Sequence, residues 1–152
     1  TDLNRADKLL PEDPYTLKVR GAVKLVLDDL EGALEDLNKA DDFQMEDYFT
    51  LQYRGHVRRK LGDLDGALKD LNLSLQLNPL EVYTLEQLAN VHMEKNEYAT
   101  ALQYSDRAVD LSHESPASLK ARAALKDMMG NSSGAKADLR LAKAKEGEKK
   151  NV

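Results

Sequence analysis

The chain is 152 residues long, 41% apolar and 32% charged, with a formal net charge of -5 and no cysteine. The acidic balance works against nucleic-acid binding, which needs clustered Lys and Arg against phosphate, and the missing cysteines exclude disulfides, thiol chemistry and Cys-ligated zinc. No apolar run approaches the roughly eighteen residues of a membrane span and no signal peptide opens the chain, so no membrane partner is expected and the cytoplasm is the expected compartment.

Residues 1–13 carry Leu3, Ala6, Leu9 and Leu10 at helical spacing, and a start at Thr1 rather than Met reads as a cut from a longer protein. From Pro14 the chain repeats itself. Lines of 34 residues begin at Pro14, Tyr48, Val82 and Pro116, spanning 14–47, 48–81, 82–115 and 116–149, and a fixed period of this length is the mark of a repeat architecture. The fourth position of each line is Leu (Leu17, Leu51, Leu85, Leu119), the eighth is small (Gly21, Gly55, Ala89, Ala123), and the tenth is aliphatic (Val23, Val57, Val91, Leu125). The twentieth is Ala33, Ala67, Ala101 or Ala135, and the twenty-seventh is Ala40, Ser74, Ala108 or Ala142.

Apolar spacing inside each line predicts two amphipathic helices. Between them stand Asp28-Asp29, Gly62-Asp63, Asn96-Glu97 and Gly130-Asn131, which are helix-stopping and turn-forming types. The small eighth and twentieth columns predict a close approach of the two helices, where a larger side chain would cost roughly 1–3 kcal/mol in overpacking. Pro11, Pro14, Pro79 and Pro116 all fall at line junctions, where a helix must end.

This period, with its small columns and the Asn78-Pro79 line ending, resembles the tetratricopeptide repeat. The resemblance covers residues 14 to about 147 as four repeats. Residues 1–13 match the second half of a preceding repeat, since Leu3, Ala6 and Pro11 fall on columns 24, 27 and 32. It implies an all-α fold, a right-handed α-solenoid of antiparallel helix pairs. Nine helices are expected, the first an orphaned second helix. It also implies a protein–protein interaction scaffold that binds a peptide or protein segment in a concave groove lined by the first helix of each pair. The departures are local: column 7 is Arg in three lines, column 11 is basic or His, and the last helix is Lys-rich.

In the family, columns 2, 5, 6, 9, 12 and 13 face that groove. Here the first line offers Tyr15, Lys18, Val19 and Ala22, and the second Phe49, Gln52, Tyr53, His56, Arg59 and Lys60. The third offers Tyr83, Glu86, Gln87, Asn90, Met93 and Glu94, and the fourth Ala117, Lys120, Ala121 and Ala124. The resemblance therefore points to Tyr15, Phe49, Tyr53, His56, Arg59, Lys60, Tyr83, Gln87 and Asn90 as partner-binding residues. Tyr15, Phe49 and Tyr83 recur one line apart, and aromatics anchor interfaces by burying large area at low entropic cost. The same spacing equally fits aromatic packing against a neighbouring helix. His56, Arg59 and Lys60 suit either an acidic partner or plain solvation. Family members that grip acidic chaperone tails use a five-residue clamp of Lys, Asn and Arg. The corresponding residues here are Lys18, Ala22, Tyr53, Tyr83 and Gln87, a single match, which argues against a chaperone C-terminal tail as ligand.

The four lines also covary. Where column 7 is Arg (Arg20, Arg54, Arg122), column 23 is Asp (Asp36, Asp70, Asp138); where it is Leu88, column 23 is Tyr104. Column 11 follows the same split, Lys24, Arg58 and Lys126 against His92. An ion pair between the two helices of a hairpin, replaced in the third line by Leu88 against Tyr104, accounts for this; so does recent duplication without contact.

No enzyme is expected. There is no phosphate-binding Gly loop, and His56, His92 and His113 never pair at i and i+4 as a zinc helix requires. Asp63-Leu64-Asp65-Gly66 lacks the remaining ligands of a calcium loop and reads as a hairpin turn with a helix cap at Asp65. No catalytic residue, metal or cofactor is assigned. The alternative to a groove binder is a self-association or regulatory segment of a larger, even enzymatic, protein, meeting a second copy through the apolar Leu3 patch of the N-terminal helix. The far end is polar by contrast, with Lys136, Lys143, Lys145, Lys149 and Lys150 on the last helix.

Overall fold

The computed structural model describes residues 13–43 and 46–150, with side chains to 148. Among these residues the chain is all-α: α1 (Pro14–Val26), α2 (Leu30–Phe43), α3 (Tyr48–Lys60), α4 (Leu64–Leu77), α5 (Val82–Glu94), α6 (Tyr98–Leu111), α7 (Pro116–Met128) and α8 (Ser132–Lys150). The helix expected over 1–13, and the Leu3 patch with it, lies outside the described residues. The chain divides between Pro79 and Leu80 into two units. In the first, α1 packs on α2 and α3 on α4, and α3 also meets both α1 and α2. In the second, α5 packs on α6, α7 on α8, and α6 on α7.

Local chemistry sets the helix ends. Asp13, Asp47 and Ser115 accept hydrogen bonds from the free backbone N–H groups of Thr16 (2.7 Å), Thr50 (3.0 Å) and Ser118 (3.1 Å), capping α1, α3 and α7. Pro14 and Pro116 occupy the first helical turn, where a missing N–H costs nothing. Inside every hairpin one residue turns left-handed: Asp28 (φ 63°), Gly62 (85°), Asn96 (61°) and Gly130 (78°). All four are types that tolerate this region. The next amide then donates back into the first helix (Asp29 to Lys24, Asp63 to Arg58, Glu97 to His92, Asn131 to Lys126; 2.8–2.9 Å), closing the helix end. The same residue caps the second helix in three hairpins, through Asp29 to Gly32 (3.1 Å), Asp63 to Gly66 (2.9 Å) and Asn131 to Gly134 (3.0 Å). The cap of α4 is thus Asp63 and not the expected Asp65. Only Asp63 stands three residues before the free N–H of Gly66, whereas Asp65 is already in the first turn.

The repeated columns are the core. Leu17, Leu51, Leu85 and Leu119 are at most 2% exposed, and the alanines of column 20 are buried with them. The expected close approach is present: a Cβ at Gly21 would lie 2.7 Å from Leu37 Cγ, and one at Gly55 2.6 Å from Leu71 Cγ. In the third hairpin Ala89 and Ser105 take these two columns, so a wider residue on the first helix goes with a narrower one on the second. Ser74, the one hydroxyl in column 27, is satisfied by donating to the Tyr48 carbonyl (2.9 Å).

The expected Arg–Asp pairs form in all three hairpins. Arg20, Arg54 and Arg122 each use Nε and one terminal nitrogen to grip both oxygens of Asp36, Asp70 and Asp138, at 2.5–2.9 Å. The column-11 cations join them: Lys24 on Asp36 (2.8 Å), Arg58 on Asp70 (2.7 Å) and Lys126 on Asp138 (2.8 Å). Burial opposes charge on Asp36 and Asp138, yet the hydrogen bonds from their two cations outweigh it and hold both carboxyls below the usual carboxylate range. The other terminal nitrogen reaches the preceding hairpin, from Arg54 to Asp41 (2.7 Å) and Asn38 (3.3 Å), and from Arg122 to Asp106 (2.9 Å). In the third hairpin Leu88 is fully buried, and the ring of Tyr104 stacks on His92, centroids 5.4 Å apart.

Removing one partner of a buried bridge leaves the other charges without compensation, at a cost of about 3–5 kcal/mol. Asp70→Ala, which takes from Arg54 its two-pronged partner and from Arg58 its closest one, leaving Arg54 only its bonds to Asp41 and Asn38, is expected to lower unfolding free energy by about 3 kcal/mol in urea titrations. Glu35→Ala, which breaks an exposed pair with Lys39, is expected to leave the midpoint where it is. Equal midpoints for the two variants would contradict the bridge's role.

Candidate functional site

In the first unit the free faces of α1 and α3 form one surface. Lys18 Nζ lies 5.7 Å from the Tyr15 ring centre and 5.6 Å from that of Phe49, so one cation joins two rings. Phe49 in turn meets Tyr53, centroids 4.6 Å apart and tilted by 42°. Lys18 is also tied to Asp47 (3.3 Å), the α3 cap. Burial disfavours charge on Asp47, but hydrogen bonds from Thr50 and Lys18 lower its carboxyl pKa regardless. Beside the rings runs an apolar cleft of about 280 Å³ lined by Val19, Ala22, Val23, Val26, Leu27, Phe49 and Tyr53. Val26 is 83% exposed and Leu27 73%.

The basic group on α3 is less basic than its composition. Burial, helped by the charges of Arg59 and Lys60, lowers His56 to about 4, so its imidazole is neutral near pH 7. Lys60 is engaged with Asp28 at 2.5 Å.

In the second unit α5, α6 and α7 enclose a cavity of about 160 Å³. Gln87 and Asn90 line it together with Glu86, Met93, Ser105, Ala117 and Ala121. Of the nine expected partner-binding residues, Tyr15, Phe49 and Tyr53 therefore gather around Lys18 and His56, Arg59 and Lys60 form a neighbouring group, all six in the first unit. Gln87 and Asn90 share the cavity of the second. Tyr83, at the start of α5, is half-buried and does not line that cavity. Among the described residues no three His, Asp or Glu side chains are grouped to hold a metal, and no helix is long and apolar enough to cross a membrane.

No protein-family model matches the sequence and no curated protein does. Solved structures do match. TTC0263, a thermophilic TPR protein of Thermus thermophilus, superposes with a TM-score of 0.81 at 23% identity over 92% of this chain and 77% of its own. A tetratricopeptide repeat protein of Parabacteroides merdae gives 0.76 at 21% identity, covering 95% of this chain and 58% of its own. The chain has the tetratricopeptide-repeat fold. Residues 41 to the end of MamA from Desulfovibrio magneticus RS-1 give 0.81 at 16% identity over 96% of this chain and 82% of that one.

Within the tetratricopeptide frame, Val26 falls on groove column 13 and Leu27 follows it, and neither is among the nine residues to which the resemblance pointed. They occupy columns 13 and 14 of the first line, where the second line has Lys60-Leu61 and the third Glu94-Lys95. The fourth line has Met128-Met129 there, so the available signal was the place of column 13 in the groove set rather than a composition peculiar to the first line.

The His56 shift has a consequence for acid stability. Its folded pKa, about 4, is depressed below the ordinary 6.5, so below pH 6.5 the unfolded chain binds a proton that the folded chain resists. Stability is therefore lost as pH falls from 6.5 to about 4 and His56 contributes no further loss below that. Asp36 and Asp138, with lowered pKa, act only below the usual 3.8. His56→Gln is expected to flatten urea midpoints between pH 6.5 and 4 relative to the unmodified chain; parallel curves for the two would refute the burial effect.

Proposed function

We propose that the chain is a protein–protein interaction scaffold that holds an extended peptide, presenting apolar side chains, on the α1–α3 face of its first unit. The carrying observation is the exposure of Val26 and Leu27 (83% and 73%) along a cleft floored by Val19, Ala22, Phe49 and Tyr53. Contiguous apolar surface of this kind is left open where something else covers it. Apolar contact leads the recognition, because Lys18 and Lys60 already face Asp47 and Asp28 and His56 is neutral. Phe49 and Tyr53 supply the anchors, with Tyr15 at the rim. No step of bond making enters this reading, and the chain acts as a binding module rather than as an enzyme.

Selection from a displayed peptide library is expected to enrich apolar sequences. Val26→Asp and Phe49→Ala together should weaken the selected peptide by about 2 kcal/mol or more in calorimetry, with helix content by circular dichroism unchanged. Val26→Asp alone, on a largely exposed residue, guards against a folding defect. Unaltered affinity in both variants overturns the reading. Concentration-dependent sedimentation that Val26→Asp abolishes would instead assign the surface to a second copy of this chain.

A further inference from the structure

The cavity of the second unit exists because of particular residues. On α3 of the first unit, columns 2 and 6 are Phe49 and Tyr53; on α7 the same columns are Ala117 and Ala121. Column 24, filled by Leu37 and Leu71 in the first unit, is Ser105 here. The space vacated, about 160 Å³, is lined by α5, α6 and α7, the latter two mainly with small or apolar side chains besides Ser105 and Ser118. The polar wall is α5. Gln87 is only 6% exposed, and its Oε1 has no hydrogen-bond partner. A buried amide oxygen left without a donor is costly and calls for an explanation. Next to it stands Glu86, whose carboxylate accepts one hydrogen bond, from Ser118 Oγ (2.8 Å), and pairs with no cation among the described residues. Asp36, Asp70 and Asp138 are each gripped by two. Asn90 lies one turn further along the same wall.

We propose that this cavity receives a guanidinium, the arginine side chain of a partner peptide. The wall offers a carboxylate, a carbonyl oxygen and a second side-chain amide, and no charge to answer the carboxylate. Guanidinium is planar, always charged, and spreads five N–H donors over a wide fork, so one group can span Glu86, Gln87 and Asn90 together, whereas the three donors of a lysine ammonium converge on one compact point charge. Met93, Ala117 and Ala121 cover the aliphatic stem of such a side chain. Gln87 Oε1 comes to face the ligand by rotation of the side-chain amide about its last bond, a soft torsion. The inference rests on the reading of the chain as a peptide holder but not on the α1–α3 face, and it predicts a ligand of opposite chemistry there.

The test uses the full chain, labelled with nitrogen-15, and short blocked peptides Ala-X-Ala in which X is arginine, citrulline, lysine or norleucine. The arginine peptide is expected to shift the side-chain amides of Gln87 and Asn90 and the backbone amides of Ala117 and Ala121, saturating at millimolar concentration. Citrulline, the neutral isostere, and Glu86→Gln should each weaken binding at least about tenfold. Gln87→Met should abolish binding yet melt no lower than the unmodified chain, because it removes a buried oxygen without a donor. Norleucine binding as tightly as arginine, arginine binding indifferent to Glu86→Gln, or no saturable shift at all overturns the proposal, the last leaving water as the cavity's occupant. Lysine binding as tightly as arginine overturns the guanidinium assignment. None of these results bears on the Val26→Asp comparison, so failure here and failure of the α1–α3 reading remain distinct.

Discussion

A carboxylate buried between two helices stays charged only if cations meet it there. Asp36, Asp70 and Asp138 bring that demand to three hairpins, and the first helix of each answers with two cations one turn apart, at columns 7 and 11. The guanidinium grips both oxygens at once and so fixes how far one helix slides along the other. In that register Gly21 meets Leu37 and Gly55 meets Leu71 within a distance that no Cβ could share. The third guanidinium nitrogen then links hairpins, since Arg54 reaches Asp41 on α2 and Arg122 reaches Asp106 on α6. A single side chain thereby sets both the geometry inside a hairpin and the seam to the one before it, within each unit. Ion pairs of this kind contribute specificity more surely than net free energy.

The two units present different chemistry on equivalent faces. Phe49 and Tyr53 fill the space beside α1 and leave an apolar surface flanked by cations that already have partners. Ala117 and Ala121 leave the corresponding space beside α5 open, and its wall carries Gln87 Oε1, an acceptor without a donor, beside the Glu86 carboxylate, which has no cation among the described residues. The frame is constant, and identity at columns 2, 5, 6 and 24 decides whether a hairpin offers a greasy shelf or a polar hole.

Much of this is legible in the sequence, for a physical reason. Four copies of one packing problem, solved by the same residue types, act as an internal alignment, so Leu17 and its equivalents, the small columns and the Arg–Asp covariation stood out at once. The place of the turns was legible too, because Asp28, Gly62, Asn96 and Gly130 are helix-stopping and turn-forming types; the left-handed backbone at each is a finding of the structure. What escaped were properties that no column carries. Asp63 and Asp65 look alike in sequence, and only the position of the Gly66 amide separates cap from first turn. His56 reads as a cation until its burial is known. The isolation of Gln87 Oε1 depends on what Ser105, Ala117 and Ala121 fail to fill, a property of three helices at once. Tyr104 stacks on His92, one turn from the Leu88 that covariation singled out.

The third hairpin, built on Leu88, His92 and Tyr104, shows that the frame also stands without the buried bridge. The two designs are not connected by small steps. Leu88→Arg alone would bury a guanidinium with no carboxylate at column 23, and Tyr104→Asp alone would bury a carboxylate beside a histidine and a leucine. Either intermediate loses several kcal/mol from a total margin of about 5–15 kcal/mol, and coupled positions of this sort do not add independently. Columns 7, 11 and 23 are therefore coupled as a block, with a valley of stability between the two versions. Columns 2, 6 and 13, on other faces of the same helices, lie outside the block and drift one substitution at a time. Descendants of such a chain can exchange ligands quickly while each hairpin keeps the heritage of its bridge, or of its rings, unchanged.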